Sequence, residues 1–371
     1  MTGIQRILTA WLIVAALVLS SAAVYAGDRA EGSFFLKNIV VNGEKIVNYN
    51  LQYPFFMYED VTYLPLTADM QEIFGFTADV DIAAGTLTLR KTASTLTNIR
   101  DNRVKNNAEN VETEVESRVS VSVADAVAPV APPPEYAAEF AEIIVFDPAP
   151  QENVRAVDLG QSPVLVKDKT VYLPLRAFAG NEVLGWSLYY DPYFGICIST
   201  NENVPAQTFF PEAEAKYNSG LTQYIRSVNG NLSASRALEM VFMLRRAAEV
   251  NKLDEKVLIA VVQKESRFNA KAVSRSGAVG LMQFMPQTAA GLGLSVEQLY
   301  DPKTSIDYGA AYLSRNIENY GGNVDLALIA YNQGSGSVSR GTYSRVYAER
   351  VQDTADDIDA YLEGSGYVSP E

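Results

Sequence analysis

Histidine is absent from all 371 residues. That excludes serine–histidine and cysteine–histidine catalytic pairs, and any zinc or copper centre held by imidazole. Cysteine is almost absent: the single Cys197 cannot close an internal disulfide, and its apolar, strand-like surroundings mark it as a packing residue. No basic cluster of the kind that follows a nucleic-acid backbone is present. The net charge of −14 is unevenly spread. Residues 231–350 hold 14 Lys and Arg against 11 Asp and Glu, a net of +3, which leaves −17 for the rest. A mildly basic segment on an acidic chain suits an anionic polymer, and equally a neutral domain joined by acidic linkers.

Residues 1–26 read as an export signal. Arg6 is the positive start, Ile7–Ser20 an apolar-rich run, and Val24-Tyr25-Ala26 the small-residue pattern before a cleavage site. A secreted, extracellular or wall-associated protein follows, or one held by an uncleaved N-terminal anchor. Downstream lies an internal repeat. Val61-Thr62-Tyr63-Leu64-Pro65-Leu66 recurs as Thr170-Val171-Tyr172-Leu173-Pro174-Leu175. Each copy continues to Gly75-Phe76 or Gly185-Trp186, then to Asp81 or Asp191 before a closing strand. The expected domains are repeats at 34–91 and 142–200, each of strands, one helix and a hairpin. A disordered insert at 92–139, rich in acids, prolines and small residues, separates them. Residues 201–231 read as a connector in which 217–228 can form a helix.

From Ser233 the pattern becomes helical. Leu238, Val241, Phe242 and Leu244 recur at helical intervals. Asp254 caps a run to Lys264 with Val257, Leu258, Val261 and Val262 on one stripe. Shorter helices are expected near 286–292, 306–320 and 324–331, and residues 351–371 form an acidic tail expected to fray. The fold class expected is α+β multidomain: an all-α domain over 232–350 preceded by two small α/β stalk-type repeats.

Chemistry points to Glu265. A glycosidic oxygen leaves only if protonated as its bond breaks, so the acid must keep its proton near neutral pH; apolar walls achieve this by desolvation. Glu265 ends the apolar run 257–262 and precedes Phe268. The two-carboxylate scheme of most glycosidases requires a partner acid, yet the next one along the chain is Glu297. Around Glu265 the sequence reads KESRFNAKAVSRSGAVGLMQFMPQTA, and later ALIAYNQGSGSV.

These motifs (ES, AVS, GLMQ, AYN, in that order) resemble the soluble lytic transglycosylases over about residues 240–350. The resemblance implies a lysozyme-like fold and cleavage of peptidoglycan glycan strands without a cofactor or metal. It implies that Glu265 first protonates the leaving oxygen, then accepts the proton of the muramic C6 hydroxyl as a 1,6-anhydro sugar closes. On the same basis Ser274, Ser276, Gln283, Tyr331, Asn332 and Tyr347 are expected to contact the substrate, and Met282 to pack against the saccharide or the core. Two departures stand out: AYNQGSGSV replaces the family's usual AYNAGPG, and the match thins after Val338. A hydrolase on the same fold would need a second acid, with Asp301, Asp307 and Asp325 available. A non-catalytic wall-binding protein is the other alternative. The repeats resemble the copper amine oxidase N-terminal domain-like module, which implies a stalk or wall-associated spacer; with no histidine, no copper is implied.

Overall fold

The computed structural model describes residues 29–93, 110–116, 119–126, 152–179 and 183–367. The signal-like segment 1–26 lies outside them. No helix among the described residues is long and apolar enough to cross a membrane. The chain forms two compact units. Among the described residues, one draws on 29–34, 55–93, 110–116, 119–126, 152–179 and 183–184; the other on 35–54 and 185–367.

The element order exposes the repeat. It runs β1 (Arg29–Phe34), β2 (Asn38–Val41), β3 (Glu44–Ile46), β4 (Phe56–Tyr58), β5 (Val61–Pro65), α1 (Ala68–Phe74), β6 (Phe76–Asp81) and β7 (Thr86–Lys91). The order then starts again with β8 (Val111–Glu116), β9 (Ser120–Ala126), β10 (Glu152–Ala156), β11 (Val164–Lys167) and β12 (Thr170–Pro174). A 3-10 turn at Leu175–Phe178 stands in for α1, before β13 (Ser187–Asp191) and β14 (Gly195–Ser199).

The copies are exchanged rather than strung in series. Six strands close a barrel in the order β1-β4-β5-β12-β11-β8. At its seam the repeated segments pair antiparallel, Tyr63 with Pro174, Leu64 with Leu173 and Pro65 with Tyr172. That register is its own image under a twofold axis at the leucine pair. Hairpin β6-β7 then accepts β9 in parallel, and hairpin β13-β14 accepts β2 in parallel, so each sheet holds strands of both copies. Asp81 and Asp191 do the same local work, accepting backbone N–H bonds from Ala84 and Tyr193 at 2.8 Å in the turn of each hairpin.

One expectation is corrected. Val111–Glu116 and Ser120–Ala126, read as part of a disordered insert, are strands. Val111, Thr113, Val119, Val121 and Val123 face inward, and the acidic residues between them alternate outward. The remainder of the insert lies outside the described residues.

The second unit holds the sheet β13-β14-β2-β3 and the helices. These are α2 (Glu212–Val228), α3 (Ala234–Asn251), α4 (Glu255–Ser266), α5 (Pro286–Gly291), α6 (Pro302–Asn319), α7 (Val324–Gln333), α8 (Ser335–Ser339) and α9 (Val346–Gly364). Cys197 is buried in β14 among Val40, Phe194, Ala206 and Ala215, and burial pushes its thiol up to about 11. Arg245 of α3 joins the helices, donating to Glu214 and Asn218 of α2 and to Glu255 of α4 at 2.7–3.0 Å. Glu214 also accepts from Asn38 of β2 at 3.1 Å, and Asn218 donates to the Tyr193 carbonyl at 2.7 Å.

A second correction concerns the acidic tail. It does not fray through Gly364, because α9 buries Ala348, Val351, Thr354, Ala355, Ile358 and Leu362, a stripe at helical spacing. The acids Asp353, Asp356, Asp357, Asp359 and Glu363 alternate with that stripe and hide it from a reading by composition. The packed helix lies against α4 and brings Tyr347 to the site.

Candidate active site

Glu265 occupies the last turn of α4. Asp254 starts that helix, accepting from the N–H groups of Lys256 and Val257 at 2.8 and 3.0 Å. Leu258 through Val262 are fully buried and anchor it. The helix stops on two consecutive left-handed residues, Arg267 at φ +52° and Phe268 at φ +60°. Phe268 holds this unfavourable conformation because its ring is fully buried in the helical core.

The Glu265 carboxyl is half-buried. Burial raises it above the ordinary carboxylate range, and a hydrogen bond from Tyr347 pulls it part of the way back. Its position at a helix C-terminus acts in the same direction as burial. Tyr347 donates its hydroxyl to Oε1 at 2.5 Å. No protein group bonds to Oε2 among the described residues, so the acid's proton belongs on that oxygen, with Oε1 already taken as an acceptor. Tyr331 and Tyr347 are themselves pushed well above the usual phenol range, first by burial and then by the Glu265 charge, and stay protonated donors. Glu265 is the single carboxylate that shifts either tyrosine, and no other acid shifts Glu265.

The GLMQ segment is a tight loop held by backbone pairing. Val279 exchanges hydrogen bonds with Phe284 at 2.9 and 3.1 Å, and Gly280 N–H donates to the Ala272 carbonyl at 2.9 Å. Gln283 sits at φ +50° and spends its amide nitrogen on the carbonyls of Gly280 and Ala272, at 2.8 and 3.2 Å. Its side-chain oxygen is left as an acceptor. Tyr331, near the end of α7, donates to the Met282 carbonyl at 2.9 Å and so ties this loop to the glutamate's surroundings.

The structure therefore brings Glu265, Tyr347, Tyr331 and the 282–283 backbone together. Other sequence-derived candidates stand differently. The Met282 side chain is fully buried in the core and packs against Gly309, so it is not a substrate surface; the apolar packing of the loop claims it. Ser274 is exposed and its Oγ accepts the Ala278 N–H at 2.9 Å, a turn-forming bond that leaves its hydroxyl proton free. Ser276 and Asn332 are exposed and make no side-chain hydrogen bond among the described residues.

Three positions escaped the sequence reading, all on one face of α6. Ser305 is fully buried and accepts the Met282 N–H at 3.2 Å. Gly309 leaves room for Met282, whose Cγ and Cε would lie 2.5 Å from an added Cβ. Tyr312 packs edge-on between Phe284 and Tyr331, with centroids at 6.0 and 5.6 Å. The spacing 305, 309, 312, two small residues and an aromatic on one helical face, was the available signal.

A Tyr347→Phe variant isolates the hydrogen bond at Oε1. Removing a donor that favours the carboxylate moves Glu265 further up, so the alkaline limb of the kcat/KM profile shifts to higher pH. Loss of a bond to a charged group lowers the plateau about ten-fold. An unmoved limb would show that Tyr347 does not govern the proton on Glu265.

Residues 242–350 match the family described as Transglycosylase SLT domain, so the C-terminal part of the chain carries such a domain. The transglycosylase of Enterobacteria phage PRD1 is 39% identical over 117 residues, covering 32% of this chain and 43% of the phage protein. The membrane-bound lytic murein transglycosylase C of Edwardsiella ictaluri is 40% identical, covering 28% of this chain and 34% of that protein. The chain thus spans less than half the length of these relatives. Among solved structures, the lytic transglycosylase Slt of Pseudomonas aeruginosa, an inactive variant, aligns at 27% identity and TM-score 0.31, covering 43% of this chain and 31% of that one. The 70-kDa soluble lytic transglycosylase of Escherichia coli aligns at 24% identity and TM-score 0.28, over 41% and 29% of the two chains.

Proposed function

We propose that the protein is a peptidoglycan lytic transglycosylase, a lyase that cuts the MurNAc–GlcNAc β-1,4 bond and leaves a 1,6-anhydro muramic end. The observation that carries this reading is a single half-buried carboxylate with one oxygen fixed by Tyr347 and the other unbonded, inside a transglycosylase SLT domain. Protonated Oε2 delivers its proton to the glycosidic oxygen as the bond breaks. The carboxylate so formed accepts the proton of the muramic C6 hydroxyl, whose oxygen closes onto C1. Atoms balance with no water consumed and with the acid regenerated. Tyr347, held as a donor to Oε1, stabilises the transient carboxylate.

Hydrolysis by a second acid finds no support in the geometry. Asp301 caps α6 through the Thr304 N–H at 2.7 Å, Asp307 is paired with Arg246 and Lys303, and Asp325 faces Arg345. Digestion of purified sacculi followed by mass measurement separates the two outcomes. Muropeptides one water lighter than their reducing counterparts support the lyase, and ordinary reducing muramic ends defeat it. On this reading residues 1–26 direct export to the wall, either cleaved or kept as an anchor, and the repeats space the SLT domain from it or bind it.

A further inference from the structure

One departure from the usual AYNAGPG segment falls at position 333, where glutamine stands in place of alanine. Gln333 is the last residue of α7, two past Tyr331. Its side-chain amide closes a two-bond clamp on the backbone of Ser344. Nε2 donates to the Ser344 carbonyl at 2.7 Å, and Oε1 accepts the Ser344 N–H at 2.9 Å. The amide thus does for Ser344 what a neighbouring strand would do, satisfying both of its main-chain groups at once. The clamp is itself held, because the Gln333 carbonyl accepts from Ser337 Oγ of α8 at 2.9 Å.

What the clamp holds is otherwise poorly anchored. Every residue from 339 to 346 is exposed. Thr342 donates back to the Ser337 carbonyl and Gly341 to the Val338 carbonyl, both at 3.0 Å, bonds local to α8. Arg345 approaches Asp325 at 3.8 Å with both side chains well exposed, a pair of little worth in water. Immediately beyond, α9 begins at Val346 without a side-chain cap from Arg345, and the Ser344 hydroxyl reaches the Val346 N–H only at 3.4 Å. The first turn of a helix has N–H groups without partners in the helix, and it frays unless something fixes it. Tyr347 stands in that first turn, with its hydroxyl on Glu265 Oε1 at 2.5 Å. The buried residues of α9 start only at Ala348.

We propose that Gln333 is a positioning residue for the acid: by fixing Ser344 it sets the entry to α9, and so keeps the Tyr347 hydroxyl on Glu265. The proposal rests on the transglycosylase reading and adds to it a side chain that acts through another. It joins the two tyrosines in one frame. The end of α7 carries Tyr331 to the Met282 carbonyl and, through Gln333, holds the turn that carries Tyr347 to Glu265. Tyr331 of α7 and Tyr347 of α9 are the titratable groups coupled to Glu265, so a loosened Tyr347 is read in the acid's own titration.

The test is a double-mutant cycle of Gln333→Ala and Tyr347→Phe in the full chain, with kcat/KM on purified sacculi measured across pH. Gln333→Ala should move the alkaline limb upward, in the direction of Tyr347→Phe, and lower the plateau about three- to ten-fold, the scale of one or two lost hydrogen bonds. In the Tyr347→Phe background the same substitution should change the plateau less than about two-fold, because its means of action is already gone. Gln223→Ala, which removes a hydrogen bond to Tyr367 just past the other end of α9, should leave the limb where it is. An unmoved limb in Gln333→Ala, an equal move in Gln223→Ala, or an equal loss in both backgrounds overturns the proposal. An NMR titration of the isotope-labelled Glu265 carboxyl, which needs no substrate, should show the same upward move in Gln333→Ala. Failure of the parent to cleave sacculi would defeat the transglycosylase reading alone, and the titration would still decide on Gln333.

Discussion

Glu265→Gln should lose at least about a thousand-fold in turnover of peptidoglycan while still sedimenting with sacculi, because loss of a positioned general acid costs on the order of 10²–10⁴ and, in the proposed mechanism, one group performs both proton transfers. A second readout is independent of substrate. Burial raises Glu265 in the folded protein, so folding disfavours its carboxylate form. The stability associated with the protonated acid is complete below the ordinary carboxylate range and is lost as pH rises through the raised value. Glutamine stays neutral throughout. The variant should therefore melt at a higher temperature than the parent at neutral pH, with the difference closing in acid. Digestion at the parent's rate would remove Glu265 from the chemistry, and a lower Tm at neutral pH would refute the desolvation argument.

Gly280→Ala carries the largest expected structural effect. At φ +81° an L-residue pays about 1–2 kcal/mol. The added Cβ would also lie 2.1 Å from the Leu299 carbonyl oxygen, a backbone atom with no rotamer to change. Its third neighbour is Ser305 Oγ at 3.2 Å, the atom that holds the Met282 N–H. Relief therefore requires the loop to leave both the 3-10 turn at 297–300 and α6, which takes Met282 and Gln283 away from Tyr331. A cost of roughly 4 kcal/mol or more, with loss of activity, is the expectation. Gly277→Ala is the control: φ is +87° but the space is open, so only the backbone cost of about 1–2 kcal/mol applies. Equal melting temperatures for the two variants would show that the close approach at Gly280 is not what seats the loop.

The site was legible where chemistry is local in sequence. Glu265 and the GLMQ segment lie within twenty residues, and their unusual composition has no explanation in helix packing alone. Tyr347 was harder to place, since its partner is 82 residues away and its helix looks like a charged tail. The same limit governs the strands β8 and β9. Their period-two pattern is present in VETEVE and SVSVADA, but their partners, β1 and β7, lie far back in the chain. Met282, which the motif left between the saccharide and the core, is the converse case. A residue inside a catalytic-looking motif can belong there for packing, and only Gly309, on another helix, reveals it. The duplicated YLPL segment was plain, yet nothing local in it announces that the two copies trade strands.

That trade sets a schedule for the newly made chain. Ile39 waits for Ile196, and Leu64 for Leu173, so neither copy can complete its hydrogen-bonding before β12 and β14 have been made. Such distant closure is slow compared with helix formation. Strands β2 and β5 therefore stay short of their full set of partners until residues 170–199 are in place.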